Sequence, residues 1–366
     1  MDQNESYGFE FKQGIFAKSG GINPLELINP KLAKNTKKRE VLDALAFAAE
    51  WYSGKSSFEL KTSGSTGPSK IIKVTREQMI ASAQGTINTL QLTIDDHSLL
   101  CLSTQYIGGK MMMVRAMELG NKCTIIPSQK DPLAKYPTQH NFTFTALVPS
   151  QLQEILNREN GIEQLKLFKA ILIGGASITL DLIKLCNQHS LPIWQTFGMT
   201  ETVSHIALRS LGNGESKYKC MEGIEIGVDE RGCLWIEGAV TNYSKIQSND
   251  IIELISPREF NWIGRYDNVI NSGGIKLYPE EIESEISSLI PSNISYFIHG
   301  VDDQKWGQKA VLFLEAKQAP LDLLDQIKSA LGSIKCPKEI ILVDEFVKTT
   351  NGKIQRKQTT ERLLGN

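Results

Sequence analysis

Residues 62–70 have the composition of a loop that binds phosphate. The segment contains five hydroxyl residues, two glycines and a lysine within nine positions. Glycines let the backbone approach a ligand closely, exposed N–H groups and hydroxyls can cradle phosphate oxygens, and a lysine adds a point charge. The same composition is typical of the turn of a β-hairpin. Composition alone leaves both interpretations open.

The order of residues in this segment argues against an ordinary P-loop NTPase. A Walker-type loop needs G-x-x-x-x-G-K-[ST] and opens a helix. Here Pro68 follows Gly67, and the segment runs into the strand-like residues 71–74.

Length and charge narrow the class of protein. The chain has 366 residues, of which 41% are hydrophobic, which is enough for two or three domains with proper cores. Lys and Arg number 40 against 41 Asp and Glu. This near-neutral balance lacks the electrostatic footprint of a nucleic-acid binder, so we expect no nucleic-acid partner.

The cysteines and the N-terminus indicate the compartment. The six cysteines form no CxxC pair, and Cys186 with His189 is only half of a metal motif. We expect buried thiols in a reducing cytosol. No signal peptide and no apolar run of about 20 residues is evident, so the sequence predicts a soluble, cytoplasmic protein without a membrane span.

Patterning along the chain predicts two domains. A preamble over residues 1–57 contains an amphipathic helix at 41–48. Strands and helices alternate over 58–210, which predicts an α/β core whose ligands gather at the carboxyl ends of the strands. Residues 222–264 read as β-hairpins. The pattern predicts an N-terminal domain at 1–265, with layered α/β sheets and a small β-subdomain, and a smaller α+β domain at 266–366.

Five segments, in this order, resemble the signatures of the adenylate-forming superfamily, which includes acyl-CoA synthetases, luciferases and peptide-synthetase adenylation domains. They are residues 62–70, 174–176, 196–201, 264–283 and 351–354, and together they cover about residues 58–360. The resemblance implies an ATP-dependent acid–CoA ligase that uses ATP, Mg²⁺ and coenzyme A. It implies an acyl-adenylate and pyrophosphate in the first step, and acyl-CoA and AMP in the second.

The resemblance also implies a role for each matching residue. The β- and γ-phosphates would be held by Thr62, Ser63, Gly64, Ser65, Thr66, Gly67 and Lys70. The adenine and ribose would be bound by Gly174, Gly175, Ala176, Phe197, Gly198, Asp250 and Arg265. Glu201 would hold Mg²⁺, Thr200 would contact the α-phosphate, and Lys353 would be the adenylation lysine. Gly273 and Gly274 would line the pantetheine tunnel, and Asp267 would be the hinge between two catalytic orientations.

Ordinary structural roles compete with these assignments. Glu201 could be a helix N-terminal acid, Phe197 a core aromatic and Lys353 a surface lysine. Asp250 and Arg265 could form a solvated ion pair of little energetic weight.

Within the superfamily, residues 82–85, 147–153, 170–176 and 198–202 resemble the o-succinylbenzoate–CoA ligases of menaquinone synthesis. Tyr106 stands where that family commonly has a histidine, which removes the usual gating residue. Lys110 and Arg115 bring cations toward the expected acyl pocket. A diacid needs its spectator carboxylate neutralised, so one of the two could pair with it. Alternatively, Arg115 extends to water from a helix.

Three other functions remain open from the sequence. They are another aryl- or acyl-CoA ligase, a stand-alone adenylation enzyme that serves a carrier thiol or an amine, and a nucleotide-binding protein without catalysis. The expected partner is a small carboxylic acid, and a homodimer is compatible with the sequence.

Overall fold

A computed structural model describes residues 7–12, 15–18, 36–61, 71–176, 178–291, 293–349 and 354–365. The N-terminal elements are β1 (Tyr7–Lys12), β2 (Ile15–Lys18), α1 (Thr36–Tyr52), β3 (Ser57–Lys61), β4 (Ile71–Thr75), α2 (Arg76–Leu90), β5 (His97–Leu100), α3 (Ile107–Leu119), β6 (Lys122–Ile125), β7 (Phe144–Leu147), α4 (Pro149–Leu156), α5 (Gly161–Lys166), β8 (Ala170–Ile173), α6 (Leu180–Gln188) and β9 (Ile193–Gly198).

Antiparallel strands dominate the next part of the chain, and shorter elements follow. They are β10 (His205–Ser210), β11 (Tyr218–Cys220), β12 (Ile224–Val228), β13 (Cys233–Gly238), β14 (Ile246–Ser256), β15 (Glu259–Arg265), β16 (Ile270–Ser272), β17 (Ile275–Leu277), α7 (Pro279–Ile286), β18 (Tyr296–Asp303), β19 (Gly307–Glu315), α8 (Leu323–Lys335), β20 (Glu339–Val343) and α9 (Arg356–Leu364).

Five adjacent parallel strands form the centre of the molecule, in the order β6-β5-β7-β8-β9. Neighbouring residues point to opposite faces, so Leu100 and Leu172 pack with α1, α2 and α3, whereas Leu99 and Ile171 pack with α4, α5 and α6. Helices therefore cover both faces, which explains why the strands are continuous apolar runs. The layered α/β architecture expected from the sequence is confirmed.

The β-rich part continues this sheet. Strand β10 pairs antiparallel with β9, and β11, β15, β14, β13 and β12 follow outward. On the other edge β1 pairs antiparallel with β6, and β2 pairs with β1. The preamble therefore adds two strands to the sheet, which its sequence pattern did not indicate.

The C-terminal residues build a second sheet in the order β17-β16-β19-β18, with β20 parallel to β19. The helices α7 and α8 pack on this sheet through Ile282, Ile286 and Ile327, which are fully buried. The fold thus has the large α/β part and the smaller α+β part that the sequence predicts.

Local signals in the sequence agree with the structure where residues are described. At the start of α2, Thr75 Oγ1 accepts from the Gln78 N–H and Gln78 Oε1 accepts from the Thr75 N–H, as the capping-box spacing predicts. The six cysteines are buried and free. Burial raises the pKa of the Cys186 thiol to about 12, which makes it inert. Among the described helices, none combines the length and apolar character that a membrane span requires.

Candidate functional site

The glycine segment follows β8, beside the end of the parallel strand β9. The Gly174 N–H donates to the Leu147 carbonyl oxygen at 3.3 Å. A Cβ on Gly174 would lie 2.3 Å from Thr196 Oγ1, whose hydroxyl donates to the Ile173 carbonyl oxygen at 3.0 Å. Gly175 has φ +86°. A side chain at Gly174 would therefore collide with β9. The end of β8 thus presents backbone without a side chain at a position where α/β sheets bind ligands.

The motif at residues 196–201 lies at the neighbouring strand end. Phe197 is half-buried and packs edge-to-face on Phe260, with ring centroids 5.0 Å apart. Gly198 is exposed, and a Cβ there would lie 2.3 Å from the Ser204 carbonyl oxygen. Glu201 is exposed and makes no ion pair or hydrogen bond with the described residues. Its carboxylate is therefore available to a hard cation.

A strained turn follows Glu201. Val203 has φ +66° and ψ −56°, is fully buried, and lies between the Thr202 carbonyl oxygen and the Ser204 N–H, which are 2.7 Å apart. This is the geometry of a classic-handed γ-turn, which is rare and costs about 1–3 kcal/mol for a β-branched residue. The turn directs Ser204 and His205 inward immediately after the exposed Glu201.

Asp250, Arg265 and Asp267 lie together where β14 pairs with the end of β15. Arg265 contacts an Asp250 oxygen at 3.4 Å and an Asp267 oxygen at 3.3 Å. The Trp262 indole N–H donates to Asp250 at 3.0 Å. Burial raises the pKa of Asp250, while Arg265 and Trp262 act in the opposite direction. Asp250 is thus largely withdrawn from water, with 11% of its side chain exposed, whereas the Arg265 side chain keeps 35% exposed.

The helix α7 contacts this cluster through Glu280. Asn268 donates to Glu280, and a Cβ on Gly264 would lie 2.6 Å from the Glu280 carboxylate. Gly264 therefore lets the carboxylate approach the chain next to Arg265. Glu280 lies within the segment 264–283, and its contact with this cluster was not foreseen from the sequence.

Gly273 and Gly274 form the turn between β16 and β17, with φ of +60° and +85°. The Gly273 N–H donates to the Trp306 carbonyl oxygen at 2.7 Å, and a Cβ would lie 2.8 Å from the Trp306 ring. Gly274 faces open space. A thin ligand could pass along this side-chain-free backbone.

The two candidate substrate cations occupy different environments. Lys110 is half-buried, and its ammonium contacts the Glu59 carbonyl oxygen at 3.3 Å and lies 5.9 Å from the Phe47 ring centroid. Burial lowers its pKa. Tyr106, at the start of α3, is 50% exposed.

Arg115 is buried, with 3% of its surface exposed. Among the described residues its one hydrogen-bond partner is Ser204 Oγ, 3.4 Å from Nη2, and its Nε has none. Burial lowers its pKa to about 9. The side chain thus does not extend to water, contrary to the alternative considered above, and it lacks a protein carboxylate in the described part of the chain. Ser204 and His205 were not foreseen as site residues.

The nine residues 62–70 and the residues Asn351, Gly352 and Lys353 lie outside the described residues. Their predicted roles in phosphate binding and adenylation stay predictions. The flanks of the first segment are described: β3 and β4 form a hairpin in which Lys61 pairs with Ile71.

Comparisons with known proteins define the class. The AMP-binding enzyme model matches residues 60–227, and the AMP-binding enzyme C-terminal domain model matches residues 281–353. A solved acyl-CoA synthetase (AMP-forming)/AMP-acid ligase II-like protein from Dyadobacter fermentans is 38% identical, with 93% of this chain and 99% of that chain covered and a TM-score of 0.61. The fold is that of an adenylate-forming ligase. The chain belongs to the AMP-binding enzyme family and uses ATP, Mg²⁺ and coenzyme A.

The chain is also similar to several 2-succinylbenzoate–CoA ligases. The 2-succinylbenzoate–CoA ligase of Listeria monocytogenes is 28% identical over 85% of this chain and 71% of the relative. The ligase of that name from Escherichia coli K12 is 25% identical over 86% and 71%. The o-succinylbenzoate CoA synthetase of Bacillus subtilis has a TM-score of 0.70 at 23% identity, covering 82% of this chain and 68% of that chain, and shares the fold.

Proposed function

We propose that this ligase activates o-succinylbenzoate, as in menaquinone biosynthesis. The observation that carries the proposal is Arg115: a buried guanidinium with an unpaired Nε and no protein carboxylate in the described structure. An uncompensated buried cation is costly, so a substrate anion is the natural counter-charge. Two curated relatives that carry the 2-succinylbenzoate–CoA ligase name support this choice over a mono-acid.

The reaction needs two substitutions. In the first, a carboxylate oxygen of the acid attacks the α-phosphorus of ATP, and pyrophosphate leaves with the P–O bonding pair. In the second, the coenzyme A sulfur attacks the acyl carbon, AMP leaves with the C–O bonding pair, and the thiol proton passes to solvent. Mg²⁺ neutralises phosphate charge when it is bound.

The described residues would share the binding tasks. Arg115 holds the spectator carboxylate, and Glu201 provides an oxygen ligand for the metal ion. Asp250 and Arg265 receive the ribose, and the backbone at Gly174 and Gly175 lies beside the adenine. These assignments are consistent with the strand-end position of the segments.

We further propose that residues 1–265 and 266–366 are the two domains and that the second reorients about Asp267 between the half-reactions. Lys353 is assigned to the first half-reaction, and Gly273 with Gly274 to the second. The cytoplasm is the proposed compartment, since six buried free thiols suit a reducing environment.

One assay tests the function. Purified protein is given ATP, Mg²⁺ and a panel of acids, and acid-dependent ATP–pyrophosphate exchange is measured before CoA thioesters are detected by mass spectrometry. We expect exchange and thioester with o-succinylbenzoate, and little with benzoate or fatty acids. Thioester formation with a mono-acid would replace the proposal by another acyl-CoA ligase. Exchange without thioester would indicate a stand-alone adenylation enzyme, and no exchange with any acid a non-catalytic protein.

The role of Lys353 has a matched control. Lys353→Ala should abolish exchange but retain thioester formation from supplied acyl-adenylate, because the lysine serves only the first step. Lys357→Ala, whose side chain is 83% exposed, removes a nearby lysine and should leave both activities intact. Equal loss of both half-reactions in Lys353→Ala would contradict the assignment.

A further inference from the structure

A continuous series of side-chain contacts leads inward from Arg115. Its Nη2 lies 3.4 Å from Ser204 Oγ, and that oxygen lies 3.4 Å from His205 Nδ1. On the other side of the ring, His205 Nε2 lies 2.9 Å from Thr86 Oγ1. Thr86 Oγ1 is 3.1 Å from the Ser82 carbonyl oxygen on the preceding turn of α2. The series thus joins α3, the turn after Glu201 and α2.

The order of these hydrogen bonds depends on the single hydroxyl hydrogen of Thr86. The Ser82 carbonyl oxygen can only accept, and Met221 Sδ at 3.9 Å is a weak thioether acceptor. When the hydrogen is directed to Ser82, Thr86 Oγ1 accepts from the imidazole, and the proton of His205 is on Nε2. In the opposite order Thr86 donates to Nε2, and the proton is on Nδ1.

The outer end follows from the same reasoning. His205 is buried, and both burial and the Arg115 guanidinium lower its pKa well below the usual value, which keeps the ring neutral. A neutral ring protonated on Nε2 has an acceptor at Nδ1. In the first order the Ser204 hydroxyl therefore donates to Nδ1, and its oxygen is left to accept from Arg115, which has donors only.

We propose that His205 is a positioning residue for acid selection: it engages the Ser204 hydroxyl hydrogen, so that the only donors offered to the spectator group of the acid come from Arg115. This inference rests on the proposed function, because it assumes that Arg115 meets a substrate group.

The consequence concerns the chemical class of that spectator group. An ionised carboxylate has only acceptors and fits the free Nε–H and the remaining guanidinium donors of Arg115. A primary carboxamide of the same shape presents an N–H₂ to the same donors, and the hydrogen of Ser204 is not free to adapt. In wild-type protein the pocket should therefore reject the carboxamide. When Ser204 no longer donates to His205, its hydroxyl can rotate, and the discrimination between carboxylate and carboxamide should weaken.

The chain offers a matched control in His97. It is also buried and also pairs with a threonine, with Nε2 2.8 Å from Thr124 Oγ1. Burial lowers its pKa to about 4. His97 lies on β5, and within the described structure its hydrogen bonds involve neither Arg115 nor Ser204. Its substitution therefore reports the general cost of replacing a buried neutral histidine.

A direct test measures which ring nitrogen of His205 carries the proton. ¹⁵N-labelled full-length protein without substrate is examined at about pH 7 by long-range ¹H–¹⁵N correlation, with His205→Gln used to assign the His205 signals. The expected result is a neutral ring with the proton on Nε2 and an unprotonated Nδ1. A proton on Nδ1 would overturn the inference whether or not the protein activates o-succinylbenzoate.

A kinetic test measures the selectivity for the carboxylate over the carboxamide. His205→Gln keeps an N–H donor near the Nε2 position but lacks the acceptor at Nδ1. We measure kcat/KM for o-succinylbenzoate and for the mono-carboxamide that replaces its unreactive carboxylate, with thermal melting as the control for folding. The carboxylate-to-carboxamide ratio should fall about 10-fold in His205→Gln, which corresponds to one hydrogen bond to a charged group, and stay at the wild-type value in His97→Gln.

The outcomes separate the two proposals. An unchanged ratio in a folded His205→Gln protein would refute the positioning role while leaving the ligase function intact. Absence of activity with o-succinylbenzoate in wild-type protein would instead refute the proposed function. The tautomer measurement needs no substrate and tests the hydrogen-bond order in either case.

Discussion

Arg115 and Arg356 are both largely removed from water, yet their surroundings differ. Arg356, at the start of α9, meets the Glu283 carboxylate with two nitrogens at 2.7 and 2.8 Å, and Glu280 lies 3.5 Å away. The two side chains of the bidentate pair are 18% and 16% exposed. Arg115 has one hydroxyl partner at 3.4 Å and no carboxylate in the described structure. An arginine that is paired with a carboxylate stabilises the fold. A buried arginine without a carboxylate partner is available to bind an anionic ligand.

The most disruptive test removes the compensated arginine. Arg356→Met leaves the Glu283 carboxylate, whose pKa burial raises to about 7, without its opposing cation. We expect the free energy of unfolding to fall by about 3 kcal/mol in urea titrations monitored by circular dichroism. Lys357→Met, at the next and exposed position, should change it by less than about 0.5 kcal/mol. Equal unfolding free energies in both variants would contradict the stabilising role assigned to Arg356.

The complementary test removes the uncompensated arginine. Arg115→Met replaces a buried cation by an apolar side chain of similar length, so the unfolding free energy should stay level or rise by about 1 kcal/mol. At the same time kcat/KM for o-succinylbenzoate should fall about 100-fold, because the spectator carboxylate loses a charged partner. A large loss of stability with unchanged acid preference would show that Arg115 is structural.

A smaller effect is expected when charge is kept and shape is changed. Arg115→Lys retains a cation but loses the planar fork and the Nε–H. The KM for o-succinylbenzoate should rise about 10-fold, while the KM for ATP remains at the wild-type value. Wild-type kinetics in this variant would mean that net charge alone matters at this position.

Lys110 should show the smallest effect. Its ammonium has one backbone acceptor at 3.3 Å and lies 5.9 Å from the centroid of the Phe47 ring. Lys110→Ala should change kcat/KM by less than about 3-fold and leave the preference for o-succinylbenzoate over a mono-acid unchanged. A loss of that preference would transfer the proposed carboxylate contact from Arg115 to Lys110.

Local patterns in the sequence were enough to predict most elements of the fold. The apolar runs of β7 and β8, the capping box at Thr75 and the turn between β12 and β13 are local signals, and each is present in the structure. The strand β1 could not be predicted in this way, because its partner β6 lies more than a hundred residues further along the chain and its pairing depends on non-local contact.

The residues of the candidate site also fall into those that local sequence predicts and those that depend on distant contacts. Motif residues such as Glu201 are recognisable from their neighbours in sequence. The contacts of Arg115 with Ser204 and of His205 with Thr86 span 89 and 119 positions, and no local pattern encodes them. Val203 is harder still to foresee, since propensity disfavours a β-branched residue at positive φ. Only the surrounding packing imposes that conformation.

Trp262 gives the protein an intrinsic optical reporter. Its indole N–H is bonded to Asp250, and its side chain is 37% exposed, whereas Trp51 is sealed in the core with 1% exposed. Indole emission responds to the local field and to hydration, and a buried ring contributes a constant background. Ribose hydroxyls that engage Asp250 would therefore alter the fluorescence of Trp262, which makes nucleotide occupancy readable in unlabelled protein.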